Sequence, residues 1–463
     1  MLESVLKHLA DDEPNAIARL KQLLAIPSVS TDPAYAQDVE HCARWITQFL
    51  AELGFEAAAV ATDGHPAVLA HCHDQDILVP DAPHVLFYGH YDVQPPHPID
   101  AWTTPPFEPT VRDGAIYARG ASDDKGQVCT FLESLRAWKR VHGKWPVRVT
   151  VLIEGEEETG SINLPGLIDK HRDALSADLV LISDTSMWDR QTIAITYGLR
   201  GMLYFDIRLH GPTRDLHSGI YGGAVANPAT VLAQVLGRLF DDEHRINIPT
   251  FYDRVQSVDK REGHAWSRLN FDEREYLDPI GVSVPFGESG YTTLERRWAR
   301  PSCDINGLFG GYDGVGAKTI IPGFAGAKVS FRLVPNQNAG EIADQFRQWL
   351  DSQPVHGCQW QIEQLGSADP AVTPTDSPYM TAVQKAVKRC SGRAAALVRE
   401  GGTIPVVSEL KKKLGLDSLL LGFGLPDDHV HAPDEKLDLS CFQLGCQTHA
   451  TLLAEFAGLN RDV

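Results

Sequence analysis

The chain has 463 residues, 43% hydrophobic and 22% charged, which is ordinary for a folded protein and too long for a single hydrophobic core, so two or three domains are expected. A formal net charge of -19 argues against nucleic acid or an anionic membrane surface as partner, because both require clustered Lys and Arg. No segment approaches the roughly 20 apolar residues of a membrane span, and 8 Cys without CxxC spacing indicate neither a zinc knuckle nor a disulfide framework.

The N-terminus runs into acidic Asp11, Asp12 and Glu13 without the basic, apolar and small-residue succession of a secretory signal, so a cytoplasmic protein is expected. Ile17, Leu20, Leu23 and Leu24 make one helix face that ends before Pro27, and Trp45, Ile46, Phe49, Leu50 and Leu53 make a second that ends at Gly54. Apolar runs at Ala67 to Ala70, Val85 to Tyr88, Val147 to Ile153 and Leu179 to Ile182 have strand length, and their lack of alternation suits strands covered on both faces. Between the second and third runs lies a helix with Val128, Phe131, Leu132, Leu135 and Trp138 on one side. The expected fold class is α/β, an open and mostly parallel sheet with helices on both faces.

From Gly201 the pattern changes, because Leu203, Phe205, Ile207 and Leu209 alternate with polar or half-polar neighbours as in a half-exposed strand. A helix (Val231, Leu232, Val235, Leu236, Leu239), a long polar stretch, a strand (Val329, Phe331, Leu333), a helix (Ile342, Phe346, Trp349, Leu350) and a strand (Trp360 to Leu365) follow. Such a set predicts an inserted α+β sandwich. Gly366 to Pro378 reads as the return linker, after which a helix (Tyr379 to Val387), a strand (Leu419 to Phe423) and a helix (Phe442 to Phe456) resume the first domain. The expected division is a catalytic domain of residues 1–198 and 374–463 and an inserted domain of residues 199–373.

The apolar strands run into chemistry. His90 and Asp92 follow the Val85 run, Glu154 to Glu158 follow the Val147 run, Asp184 follows the Leu179 run, and Asp427 to His431 follow the Leu419 run. In an open α/β sheet these strand ends gather in one crevice. Asp123 and Asp124 open the helix through Val128, where a carboxylate is also welcome as a simple helix-terminus partner. Carboxylates gathered in one crevice stay ionised only if a cation offsets them. His and carboxylate donors suit zinc, and a carboxylate can bridge a metal pair.

The strings GHYDVQP, RGASDDKG, EGEEETGS, SDTSMW, DLHSG and HAPDEK resemble, in order from Gly89 to Lys436, the zinc aminopeptidase-like family of carboxypeptidase G, aminoacylase, succinyl-diaminopimelate desuccinylase and the carnosinase and cysteinylglycine dipeptidases. The resemblance implies two divalent metal ions per subunit, zinc first with manganese or cobalt also tolerated, held by His90, Asp123, Glu158, Asp184 and His431. In it Asp123 bridges, His90 and Asp184 serve one ion, and Glu158 and His431 the other. Asp92 would orient His90. Glu157 would be the general base for a water shared by the metals that attacks the amide bond of a dipeptide or short peptide. The triple Glu leaves the register open between Glu156-Glu157 and Glu157-Glu158, and the following Thr-Gly-Ser favours the latter.

The same resemblance makes the inserted domain a lid and dimerisation domain and the enzyme a homodimer, with His217 stabilising the oxyanion in the partner subunit's site. AKTIIP, FRLVP and REGGTIP resemble the carnosinase-like branch and imply Thr319, Arg332 and Thr403 as substrate-binding residues together with His217 and His431. Thr403 stands where Ser is more familiar. The long polar insertion from about Asp241 to Pro301 favours the same branch. The rival readings are an N-acyl amino acid deacylase on the same site and a binding protein that has lost catalysis, against which Glu157 and Asp92 both speak.

Two further strings are decoys. Gly311 to Thr319 nearly spells a phosphate-binding loop, but Ala317 separates Gly316 from Lys318 and Ile320-Ile321-Pro322 cannot open the required helix. His71-Cys72-His73-Asp74 lacks a third ligand on one face and reads as a strand edge.

Overall fold

The computed structural model describes residues 1–459. The chain forms two compact units, one built from Met1–Tyr197, Thr373–Val398 and the chain from Pro405 onward, the other from Gly198–Val372 with the short return Arg399–Ile404. No helix is long and apolar enough to cross a membrane among the described residues.

The first unit is organised on a twisted sheet whose centre is parallel. Val149–Glu154, Val85–His90, Leu179–Ile182 and Ser418–Leu420 lie side by side in that order, all parallel. Every residue of these four strands is buried, which is why their sequences show no alternation. At one flank a hairpin of Glu56–Val60 and Ala67–His71 pairs antiparallel with Val149–Glu154, and at the other Ala194–Leu199 pairs antiparallel with Ser418–Leu420. Parallel order in the centre has a direct consequence: His90 sits opposite Glu154 in register, and both point their strands toward one edge.

Helix Lys125–His142 covers one face of this sheet and ends at Gly143, whose φ of 70° is the left-handed conformation that closes a helix without a side-chain penalty. Phe131 stacks on Phe87 of the sheet at 3.9 Å between ring centroids. On its other side Trp138 donates its indole N–H to Ala450 O at 3.0 Å, joining it to the C-terminal helix Leu439–Phe456. Gly126 is required at the start of the helix, because a Cβ there would lie 1.8 Å from Ala121 O.

The second unit is a four-stranded antiparallel sheet in the order Ser302–Gly310, Phe324–Leu333, Gly201–His210, Gln359–Ala368. Leu203, Phe205, Ile207 and Leu209 point inward under helices Pro228–Gly237 and Ala339–Asp351, with Phe346 5.0 Å from Phe205 and 4.9 Å from Phe331 between ring centroids. Burying such a ring is worth about 3 kcal/mol or more, by the cost of Phe-to-Ala truncation in cores.

Several elements depart from the sequence-based expectation. Ser302–Gly310 is a strand inside the stretch read as polar loop; as an edge strand it buries Cys303 and little else, so it shows no alternation. The strand at Trp360 runs on to Ala368, with an irregularity between Gln364 and Gly366, so the expected linker starts late. The strand at Leu419 stops at Leu420. The insertion carries three short helices, Lys260–Trp266, Glu273–Leu277 and Thr293–Trp298, each started by a side-chain cap from Asp259, Asp272 or Thr292.

Candidate metal centre

All five residues implied as ligands belong to the first unit, and the structure brings them together at the edge where the parallel strands end. His90 closes its strand and is fully buried. Its Nδ1 lies 3.1 Å from Asp92 O and 3.4 Å from Asp92 Oδ1, contacts that favour the proton on Nδ1 and leave Nε2 to face the crevice. Nε2 is 3.1 Å from Asp123 Oδ1 and 3.9 Å from Asp184 Oδ2. The other Asp123 oxygen, Oδ2, is 2.9 Å from His431 Nε2, which is itself 3.4 Å from Glu158 Oε1. Asp123 thus presents one oxygen to each histidine.

Two sets of three donors result: His90, Asp124 and Asp184, and Asp123, Glu158 and His431, each set with its donor atoms within 4.8 Å of one another. Asp124 was not anticipated as a member. It occupies the N-cap position of helix Lys125–His142, yet its side chain makes no capping bond. Instead Oδ2 accepts the His90 backbone N–H at 3.2 Å, and Oδ1 is buried without a hydrogen bond. The only sequence signal was the doubled Asp of DDK.

The three glutamates face different partners. Both oxygens of Glu156 are taken by Asn163 Nδ2, at 2.9 and 3.0 Å. Glu158 turns to Asp123 and His431, its Oε2 accepting from Gln94 at 2.7 Å while Oε1 is buried without a hydrogen bond. The backbone N–H groups of Glu157 and Glu158 donate to Asp92 Oδ1 and Oδ2 at 3.2 and 3.1 Å, and Ser30 Oγ donates to Oδ2 at 2.6 Å. Asp92 therefore fixes both the His90 ring and the glutamate turn.

Outside the donors a second carboxylate organises the Asp123 loop. Glu435 is fully buried and accepts backbone N–H bonds from Gly120 (3.1 Å), Ser122 (2.9 Å) and Asp123 (3.1 Å), with Arg119 Nη1 at 2.6 Å. Asp428 adds Ser122 Oγ at 2.9 Å and Lys436 Nζ at 2.8 Å. Sequence reasoning missed Ser30 and gave no role to Asp428 and Glu435, although both lie in strings it singled out, since they act through backbone N–H and hydroxyl groups far away in sequence. The loop bearing His431 holds three non-glycine residues at positive φ, His429, His431 and Asp434, each at a cost of about 1 kcal/mol that these bonds offset.

The electrostatics call for cations. Burial, then Asp123, pushes Asp184 well above the usual carboxylate range, and burial with Asp184 does the same to Asp124. Burial raises Glu157 to about 7, with Glu158, Asp123 and Asp92 adding to it. Asp123 goes the other way: burial works against it, but hydrogen bonds from His431 and His90 outweigh that and hold it low. The Asp123 and Glu158 carboxylates, 2.9 and 3.4 Å from its Nε2, lift His431 to about 10. The histidines thus compensate the acids by holding protons, a task divalent cations would take over. Orphaned buried oxygens on Glu158 and Asp124, a carboxylate set between two histidines, and a His and carboxylate donor set without thiolate fit a pair of divalent ions.

His217, Thr319, Arg332 and Thr403 all lie in the second unit, in two pairs. Strand Leu216–His217 pairs with Ile320–Ile321, and Ser218 N donates to Thr319 O at 3.1 Å. His217 is exposed and its Nδ1 accepts from Gly219 N at 2.9 Å, leaving the proton on Nε2. Arg332 Nη1 donates to Thr403 Oγ1 at 3.0 Å, which in turn donates to Arg200 O at 2.6 Å. Arg332 is half-buried rather than a solvent-facing strand residue. Gly311 to Thr319 leads into strand Ile320–Ile321 rather than a helix, and His71 and His73 join no metal-type group among the described residues.

The chain is similar to the Cys-Gly metallodipeptidase of Candida albicans, at 33% identity over 96% of each chain. It superposes on the crystal structure of human carnosine dipeptidase 1 with a TM-score of 0.83, at 30% identity over 99% of each chain. An M20 family metallo-carboxypeptidase from Sulfolobus solfataricus gives a TM-score of 0.85 at 30% identity, covering 96% of this chain and 99% of that one. Residues 86–455, which span every donor of the metal centre, match peptidase family M20/M25/M40, and the chain belongs to that family.

Proposed function

We propose that this chain, a metal-dependent dipeptidase of its family, cuts the amide bond of dipeptides at the centre organised by Asp123. The observation that carries this reading is the carboxylate of Asp123 set between His90 and His431, one oxygen to each. His90 with Asp184, and Glu158 with His431, would hold two divalent ions, zinc first and manganese or cobalt as alternatives, with Asp124 close to the former pair. Bound there, the ions would polarise the scissile carbonyl and acidify the attacking water.

Glu157 would take the proton of the attacking water and return it to the leaving amine. Asp92 keeps Glu157 in place through the backbone. His217 donates its Nε2 proton to the oxyanion of a second subunit's substrate. Arg332, backed by Thr403, takes the substrate's terminal carboxylate as a fork, and Thr319 lies beside His217 to contact the same substrate.

A homodimer is supported by the second unit's surface. The edge strand Ser302–Gly310 exposes Ile305 and Leu308, which with Phe309 and helix Pro228–Gly237 line an apolar groove of about 520 Å³. Cytoplasmic residence is supported by 8 free Cys. The Cys-Gly and carnosine relatives favour unblocked dipeptides over N-acyl amino acids. The test is a panel of free dipeptides, tripeptides, and N-acetyl and N-succinyl amino acids: preference for the blocked amino acids would replace the dipeptidase with a deacylase. Mixing His217→Ala with Glu157→Gln subunits tests the shared site, because a heterodimer should regain one working centre; no recovery would count against sharing.

A further inference from the structure

We propose that the second unit carries an oxyanion-binding cavity, apart from Arg332, where the Asp241 to Pro301 insertion meets the start of the Ser302–Gly310 strand. The cavity is about 530 Å³ and is lined by Arg200, Arg296, Arg297 and Arg300, with Tyr276 and Phe286 among its apolar wall.

Its charges do not balance. Arg300 is neutralised by Glu288, which accepts from Nε and Nη2 at 2.7 Å each, and the same carboxylate lies 3.5 Å from Arg245 Nε. Arg296 turns its Nε to the backbone carbonyl of Glu288 at 2.9 Å, and Arg297 lies over the Tyr276 ring at 4.5 Å. Among the described residues, no carboxylate forms an ion pair with Arg200, Arg296 or Arg297. The one other acid on the lining, Asp304, is exposed.

Arg200 is the most telling of the three. It is half-buried, held by Gly401 O at 3.1 Å and Ser302 Oγ at 3.3 Å, with the Arg296 and Arg300 carbonyls at 3.5 Å. Burial, with Arg332 and Arg297, pushes it down to about 10, against the opposing pull of the Glu400 and Asp304 carboxylates nearby. Cations kept together and partly desolvated in one cavity repel one another unless an anion joins them. The guanidinium nitrogens of Arg296 and Arg297 that those contacts leave over, beside Arg200, suit a carboxylate or a tetrahedral oxyanion.

Two sources carry that chemistry. Thr403 bridges Arg332 and the Arg200 backbone, so an acidic side chain on the substrate residue held by Arg332 is one; this source rests on the substrate reading above. A free anion is the other.

The experiment is calorimetric titration of the metal-loaded protein with sulfate and with glutarate, chloride serving as the ionic-strength reference. Saturable binding is expected, weakened roughly tenfold or more in Arg297→Gln, which removes one charged donor, and strengthened in Asp304→Asn, which removes the opposing charge. The opposite signs separate an anion site from a general loss of folding. If kcat/KM for a dipeptide ending in Glu falls relative to one ending in Gln in Arg297→Gln, the anion is the substrate's; an unchanged ratio with sulfate still bound assigns it to a free anion. Absence of saturable binding, or equal binding in wild type and both variants, overturns the proposal. A protein that hydrolyses no dipeptide yet binds sulfate with this pattern would overturn the substrate reading and leave the cavity standing.

Discussion

The carboxylate of Asp92 accepts the backbone N–H of Glu157 at 3.2 Å while its main chain and side chain also bracket the Nδ1 of His90. One buried acid therefore sets two things at once, the ring that faces the donor cluster and the backbone from which Glu157, the proposed general base, projects. Asp92→Ala should cut metal affinity or kcat/KM by roughly 10- to 100-fold, the usual effect of removing the partner behind a metal ligand. Ser30→Ala, which removes one of the hydrogen bonds to the same carboxylate, should fall in the same direction by less. Equal metal affinity and kcat/KM in wild type and Asp92→Ala would show that this acid positions nothing.

Glu157→Gln keeps the shape and backbone of the turn but cannot carry a proton. Both ions should still bind, and kcat should fall roughly 10²- to 10⁴-fold, the range assigned to a positioned acid–base group. Near wild-type turnover with both ions retained would move the base to another residue.

Removing the ions should destabilise the first unit. Asp123, Asp124, Asp184 and Glu158 would be left facing one another, compensated only by protons on His90 and His431. Adding a divalent ion at about a hundred times its dissociation constant should restore about 2.7 kcal/mol per site and raise the melting temperature. Because the ions replace those protons, binding should release protons into a weakly buffered solution. A melting temperature indifferent to chelator and to added zinc would contradict this.

Stability should also report on His449. Its ring is buried among Phe87, Phe131 and Phe423, with Ser183 Oγ 3.2 Å from Nε2, and burial pushes its pKa down to about 3. The unfolded chain takes up this proton near the ordinary value of about 6.5. The folded value being the lower one, the neutral ring's contribution is whole above about 6.5 and declines as pH falls toward about 3, by roughly 1.4 kcal/mol per pH unit. His449→Phe should therefore lose less stability than wild type between neutral pH and mildly acid pH in urea unfolding of the metal-loaded protein. Parallel pH dependences would refute the assignment.

Much of the centre's assembly could be read from the sequence because unbroken apolar runs announce buried parallel strands, and His90, Glu158, Asp184 and His431 follow such runs. Asp123 was accessible only through the resemblance of RGASDDKG, because its place at a helix start is equally well explained by simple helix-terminus stabilisation. Asp124 was not, since a carboxylate at that position ordinarily caps the helix, and here it turns instead to His90. The roles of Glu435 and Ser30 were invisible because their work is hydrogen bonding across the fold, with partners far away in sequence. In the second unit, alternation exposed Gly201–His210 plainly, whereas Ser302–Gly310, an edge strand with one inward-facing flank, left no periodic trace. The unbalanced arginines are spread from Arg200 to Arg300 and meet only once the chain is folded.

The proposed bridging role of Asp123 is tested most directly by metal stoichiometry. Metal-free wild-type and Asp123→Asn protein would each be titrated with zinc, and bound ions counted per chain alongside hydrolysis of a Cys-Gly dipeptide. Wild type should take up two ions and hydrolyse the peptide, and Asp123→Asn should lose tight binding of at least one ion together with activity. Two tightly bound ions and undiminished hydrolysis in Asp123→Asn would contradict the account.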